Sequence, residues 1–174
     1  MIRLISLLLI LFIPIASLAR GVYQEPTDFI NEVFSNEPPN ANKLWITGDR
    51  KKVASEILGH RPNSLRLSYW GKDARTTWIL EEIGKEKPIT VGIVINKNRI
   101  ERIKVLIFLE SRGWEVRHDF FTNQFKNIQL QENKDLSKHI DGISGATLSV
   151  RALKKLSRLA LYLHTQTPFS HDTP

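Results

Sequence analysis

The stretch Asp141-Gly142-Ile143-Ser144-Gly145-Ala146-Thr147-Leu148-Ser149 constrains this chain most. It is a turn of small and hydroxylated residues that runs directly into a basic, leucine-rich segment. Beyond Thr147 the apolar residues fall at Leu148, Val150, Leu153, Leu156, Ala160 and Leu163, with Leu159 and Leu161 widening the stripe. That spacing is helical rather than alternating. Arg151, Lys154, Lys155 and Arg158 take the remaining positions, and leucine, alanine, lysine and arginine all favour helix. A helix is therefore predicted from about Leu148 to His164, with Pro168 helping to end it. The first turn of such a helix has backbone N–H groups without intrahelical partners, and its aligned peptide dipoles favour an anion. Gly145 lets the backbone bend closely, and Ala146 adds little bulk. Two readings follow from the residues alone. Either Thr147 or Ser149 caps the helix with its hydroxyl, or the turn holds a phosphate.

The full string Asp141-Gly142-Ile143-Ser144-Gly145-Ala146-Thr147 resembles the flavinylation motif of the FMN-binding domain family. That family includes the flavin-carrying subunits of the sodium-translocating NADH:quinone reductase and of the ion-pumping ferredoxin:NAD oxidoreductase. The resemblance implies that Thr147 is esterified to the phosphate of FMN. A separate flavin transferase would make that bond, with FAD as donor and magnesium as its ion. Asp141, Ser144, Gly145 and Ala146 would form the recognition turn. Upstream, Lys87 to Ile95 looks like the family's first core strand and Ile100 to Phe108 like the next. Glu110-Ser111-Arg112-Gly113 is similar to the Glu-Thr-x-Gly stretch of many members, with Ser111 in the threonine's place. A later glycine of that pattern is missing, because Trp114-Glu115-Val116 follows directly. The resemblance implies flavin contacts from Glu110, Ser111, Gly113 and Trp114, and it spans Glu82 to His164.

The chain of 174 residues opens with Met1-Ile2-Arg3, an apolar run from Leu4 to Ile15, and Ala16-Ser17-Leu18-Ala19. One positive charge, a short apolar run and small residues at Ser17 and Ala19 describe a secretory signal peptide, residues 1–19, cut after Ala19. The run is short against the roughly 20 residues of a membrane-spanning helix, although an uncleaved anchor is the alternative. The expected location is the periplasm, with association to the inner membrane. No cysteine occurs in the sequence, which excludes thiolate catalysis, iron–sulfur clusters and cysteine-held haem or zinc. The formal charge is +7, and export sets nucleic acid aside as a partner for that surplus. None of the five histidines has a close metal-binding neighbour in sequence, so no metal site is expected. Ser144 with Asp141 lacks the strand–nucleophile–helix pattern of a hydrolase.

Along the chain, Thr27-Asp28 opens a short helix that Pro38-Pro39 is expected to stop. Leu44 to Thr47 reads as a strand, and Asp49 to Leu58 as a helix capped by Gly59. Leu65 to Trp70, Arg75 to Glu81, Ile89 to Ile95 and Ile100 to Phe108 alternate as strands. Their expected turns are Gly71-Lys72-Asp73, Gly84 to Lys87 and Asn96-Lys97-Asn98. The last strand is expected to point Ile103, Val105 and Ile107 inward, and Glu81-Glu82 reads as a solvated strand end. Arg117 to Ile128 is predicted helical. Its aromatics Phe120, Phe121 and Phe125 either line the core or wall a flavin ring, and Trp114 carries the same two readings. Ile128 to Ile140 is a polar connection. Short turns between alternating strands, with helices before and after, predict an α+β domain built on a mostly antiparallel sheet. The expected division is an N-terminal extension over 20–81, an FMN-binding domain core over 82–164 and a flexible tail over 165–174.

The function this implies is a periplasmic flavoprotein that carries covalent FMN and exchanges electrons with a membrane haem or quinone protein. The residues themselves also admit a noncatalytic binding or assembly domain that docks an acidic partner on the basic helix.

Overall fold

The computed structural model describes residues 21–170, so the expected signal peptide and the end of the expected tail lie outside the described residues. Five strands form one antiparallel meander in sequence order: β1 (Asn42–Trp45), β2 (Arg66–Lys72), β3 (Arg75–Ile83), β4 (Pro88–Asn96) and β5 (Arg99–Phe108). The hairpin between β4 and β5 turns on Lys97 and Asn98, both at positive φ (49° and 60°). That backbone matches the twist of paired strands, and asparagine tolerates it well. The turn between β2 and β3 differs from expectation. Gly71 stays inside β2, paired with Thr76, and Asp73-Ala74 makes the bend. Gly71 is needed instead for packing, because a Cβ there would stand 2.3 Å from the Phe169 ring.

The helices cover both faces. Helix α4 (Thr147–Thr165) lies across β3, β4 and β5 and presses Leu153, Leu156, Ala160 and Leu163 into the core. Those side chains meet Trp78, Val91, Ile93 and Val105, all buried. Full burial of one such leucine contributes roughly 1.5–3 kcal/mol. Helix α2 (Gly48–Leu58) packs beside α4 and ends at Gly59 in the left-handed region (φ 75°). On the opposite face α1 (Pro26–Val33) inserts Phe29 against Val94 and Leu106. The ring sits so close to β4 that a Cβ on Gly92 would be 2.4 Å from it.

Several expectations change. Helix α1 ends well before Pro38, because Ser35 and Asn36 turn left-handed and the Asn36 N–H donates to the Asn31 carbonyl at 2.7 Å. Strand β5 carries register shifts opposite Val94/Ile95 and Thr90/Val91. The second of these sends Leu106 and Ile107 to the α1 side and returns Phe108 to the main core, as an extra residue in a ladder does. Arg117 to Ile128 is a broken coil of turns rather than one helix. Two 3₁₀ turns, Trp114–Arg117 and Asn123–Phe125, flank the single helical turn α3 (Asp119–Thr122), and His118 is extended between the first turn and α3. The segment is rich in His, Asp, Phe, Thr and Asn, which are weak helix formers. Phe121 and Phe125 are fully buried and meet edge to face at 5.5 Å, whereas Phe120 is exposed. Glu82 is buried rather than solvated. The first residues of the expected tail, 165–170, are packed, with Thr167 buried and Phe169 edge-on to Tyr69.

A polar chain crosses the core. The Trp78 indole N–H donates to Thr76 Oγ1 at 2.9 Å, and that hydroxyl meets His164 Nδ1 at 2.7 Å. His164 is fully buried and its Nε2 has no partner among the described residues. Desolvation pushes its pKa down to about 4.

Two outcomes are expected. Between pH 6.5 and about 4 the unfolded chain takes up a proton that folded His164 refuses. Urea denaturation should then show stability falling by roughly 3 kcal/mol as pH drops through that window, and His164→Asn should flatten the slope. Gly92→Ala should cost about 1–3 kcal/mol by overpacking against Phe29, and adding Phe29→Leu should restore part of the loss. A Gly92→Ala protein as stable as the parent would exclude that contact as a constraint.

Candidate functional site

The turn before α4 is built for access. Asp141 is exposed, and its N–H donates to Gln124 Oε1 at 2.8 Å. The Ala146 N–H closes back on the Ile143 carbonyl at 3.0 Å. Gly145 is left-handed at φ 80° with open space around its Cα, so the backbone angle and not crowding favours glycine there. Ala146 is buried and precedes the first helical residue, and its carbonyl accepts the Val150 N–H at 2.9 Å. Thr147 is the first residue of α4. It is exposed, and its hydroxyl makes no hydrogen bond among the described residues. No side chain caps this helix, which removes the capping reading for both Thr147 and Ser149. Ser149 is buried, while Ser144 is exposed.

Thr147 opens onto a groove of about 740 Å³ between α4 and the 131–139 connection. One wall is the α4 face bearing Val150, Arg151, Lys154, Lys155 and Arg158, and the other includes Ser137, Lys138 and His139. Two of the cations are committed. Arg158 pairs with Asp135 at 2.9 Å and donates to the Ile57 carbonyl at 2.8 Å. Lys155 pairs with buried Glu82 at 3.1 Å, and Glu82 also meets His60 at 2.9 Å. The Arg61 carbonyl, followed by the Glu82 carboxylate, holds His60 above the ordinary imidazole value. Its stabilising contact is thus complete below pH 6.5 and fades as pH rises through the folded value. Arg151, Lys154 and Lys138 have no carboxylate partner among the described residues, and Arg151 and Lys138 are exposed. These three, nearest Thr147 in sequence on either wall, are the cations left for a ligand.

The loop 110–114 reaches the same helix start from another side. A Cβ on Gly113 would lie 2.5 Å from Ser149 Oγ and 3.5 Å from Ala146 Cα, so the glycine (φ 86°) lets the loop rest on the first turn of α4. Trp114 is 43% exposed and stands edge-on to His118 at 5.3 Å, with the Arg117 guanidinium 5.1 Å from its ring centroid. Ser111 and Trp114 line a second groove of about 790 Å³ with Tyr23, Leu109 and Lys87. Glu110 lines it too, but its Oε1 accepts the N–H groups of Lys85, Glu86 and Lys87 at 2.5, 2.6 and 2.9 Å. Partial burial would raise the Glu110 pKa, yet these amide hydrogen bonds hold it below the ordinary carboxylate value. Glu110 is therefore the clasp of the β3–β4 turn.

The residues expected to act together thus fall into two neighbouring hollows joined at Gly113, Ala146 and Ser149. Thr147 belongs to the basic groove, and Glu110, Ser111 and Trp114 to the aromatic one. Lys138, His139 and Ser137 were not anticipated, since their segment read only as a polar connection. The cationic wall was readable in principle, because Thr147, Arg151, Lys154 and Arg158 recur at three- and four-residue steps on one helix face.

Residues 84–162 match the FMN-binding domain family. The matched stretch takes in β4, β5, the 110–114 loop, the turn and nearly all of α4. The chain therefore contains an FMN-binding domain fold: an antiparallel sheet with flanking helices, whose last long helix starts at the small-residue turn. No curated protein matches the chain.

Replacing Glu110 with alanine should cost roughly 1–2 kcal/mol, because three N–H groups lose a charged acceptor. Denaturation at pH 7 reads this directly, and an unchanged midpoint would remove the clasp role. The loss should shrink as pH falls below the ordinary carboxylate value, where the parent also loses the ionised form.

Proposed function

We propose that this protein is an exported electron carrier that holds FMN by a phosphoester to Thr147, akin to the flavinylated subunits of ion-pumping reductases. The observation that carries this reading is the Thr147 hydroxyl. It is exposed at the start of a long helix, it serves no cap, and it opens onto a cationic groove. The hollow is within the roughly 300–1,000 Å³ typical of small-molecule sites, and its uncommitted cations suit a phosphate.

In this reading Thr147 is a tether and takes no part in turnover. The unpartnered N–H groups of the first α4 turn, with Arg151, Lys154 and Lys138, offset the phosphate's remaining charge. Gly145 and Ala146 keep the approach to the threonine oxygen clear, with Ser144 and Asp141 on the exposed side of the turn. Ser111, Gly113 and Trp114 supply the wall for the ring, and Glu110 fixes the backbone behind it. FMN supplies one- or two-electron transfer, while the protein sets its orientation and surroundings. Maturation requires a flavin transferase, and the redox partner is a membrane haem or quinone protein. The periplasm is the compartment that the leader sequence indicates.

The test is intact mass after co-expression of the exported chain with an active flavin transferase. The mass should rise by one FMN less one water, and Thr147→Ala should abolish the rise. An unchanged parent mass would overturn covalent flavinylation, and a purified protein without yellow colour would favour a noncatalytic assembly domain. A rise that survives Thr147→Ala would move the ester to Ser144, the other exposed hydroxyl of the turn.

A further inference from the structure

Eight large apolar side chains are exposed among the described residues, and five of them, Tyr23, Leu109, Trp114, Phe120 and Leu148, collect at the Thr147 end of the domain. Their continuity is traceable. Tyr23, Leu109 and Trp114 line one groove. The Arg117 guanidinium lies 4.3 Å from the Tyr23 ring centroid and 5.1 Å from that of Trp114. His118 is edge-on to Trp114 at 5.3 Å and stacks on Phe120 at 6.2 Å. The contact of Gly113 with Ser149 brings in the turn that bears Leu148. By contrast, Trp45 is on β1, at the far edge of the sheet from β5.

The polypeptide enters the fold at this same patch. The Phe108 N–H donates to the Gly21 carbonyl at 2.7 Å, the Tyr23 N–H donates to the Leu106 carbonyl at 2.8 Å, and Gly21 itself lines the groove. Ahead of Gly21 the sequence carries the uncharged apolar run Leu4 to Ile15, separated from it only by residues 16–20. Even fully extended, that link spans about 20 Å. While the apolar run is attached and held by lipid, the patch is kept within that distance of the bilayer. Tryptophan, tyrosine and arginine are also the side chains that suit the membrane interface, with apolar bodies and polar tips. Among the described residues no helix is long and apolar enough to cross a membrane, so the domain's own contact is a surface one.

We propose that the Thr147 end of the domain rests on a lipid bilayer. Tyr23, Leu109, Trp114 and Phe120 sit at headgroup depth, and Arg117 sits among the phosphates. This orientation stands without the flavin. If the flavin is present, it brings the ring to the membrane surface.

The absence of native cysteine allows a clean test on the full chain. Phe120→Cys and, as control, Leu65→Cys are each labelled with bimane and reconstituted into vesicles of phosphatidylcholine and phosphatidylglycerol. Both positions are exposed, so neither substitution disturbs the core. Doxyl groups on the lipids should quench the label at position 120 several-fold more than the label at 65. In brominated lipid, Trp114→Phe should remove most of the tryptophan quenching, whereas Trp45→Phe should leave it. Equal quenching at the two labels, or quenching carried by Trp45, would overturn the orientation. A bimane shift at position 120 that grows with protein concentration in the absence of vesicles would also overturn it, and would assign the patch to a second copy of the chain.

Discussion

The seating of α4 across β3, β4 and β5 is the contact on which the remainder of the molecule depends. Leu153, Leu156 and Leu163 have no exposed surface, and they fix the helix in rotation as well as position. Once those side chains point inward, the residues half a turn away must face out, which puts Thr147, Arg151 and Lys154 on one open wall. The same seating brings Ser149 against Gly113 and so sets where the 110–114 loop lies. The hydrophobic effect thus orients polar groups that contribute little to the core themselves.

Local order was legible where one physical signal dominated. The alternating strands, the two-residue turn at Lys97-Asn98, and α4 each follow from periodicity or turn chemistry, and all appear as expected in type. What was not legible depended on contacts distant in sequence. Gly71 reads as a turn residue, yet it serves a ring ninety-eight positions later. Glu82 reads as a strand end, yet its neighbours His60 and Lys155 come from the loop after α2 and from α4. The bulges in β5 shift Ile107 and Phe108 between faces, and no composition rule marks where an extra residue will be accommodated. The segment 117–128 carries a helical apolar pattern but weak propensity, and the demand to bury Phe121 and Phe125 was met by turns instead.

The candidate site divides in the same way. The turn 141–147 was conspicuous because glycine and small hydroxylated residues before a basic helix are a compact local signal. Its accessibility was a tertiary outcome: Thr147 and Ser149 are two residues apart, yet one is exposed and the other sealed against a loop. Glu110 stands out in sequence for its loop, whereas its carboxylate holds three consecutive amides of another turn. The far wall, with Lys138 and His139, comes from a connection that has no periodicity to read.

A hydroxyl that caps nothing also has a temporal meaning. Since the Thr147 side chain contributes no hydrogen bond to the described fold, placing an ester on its oxygen breaks none. If Thr147 carries the proposed ester, the domain can complete its folding first and be loaded afterwards, and a flavin transferase would meet a finished surface in place of a nascent chain. On that reading loading and folding are separable events, and a shortage of FMN would leave an intact colourless protein that waits for its passenger.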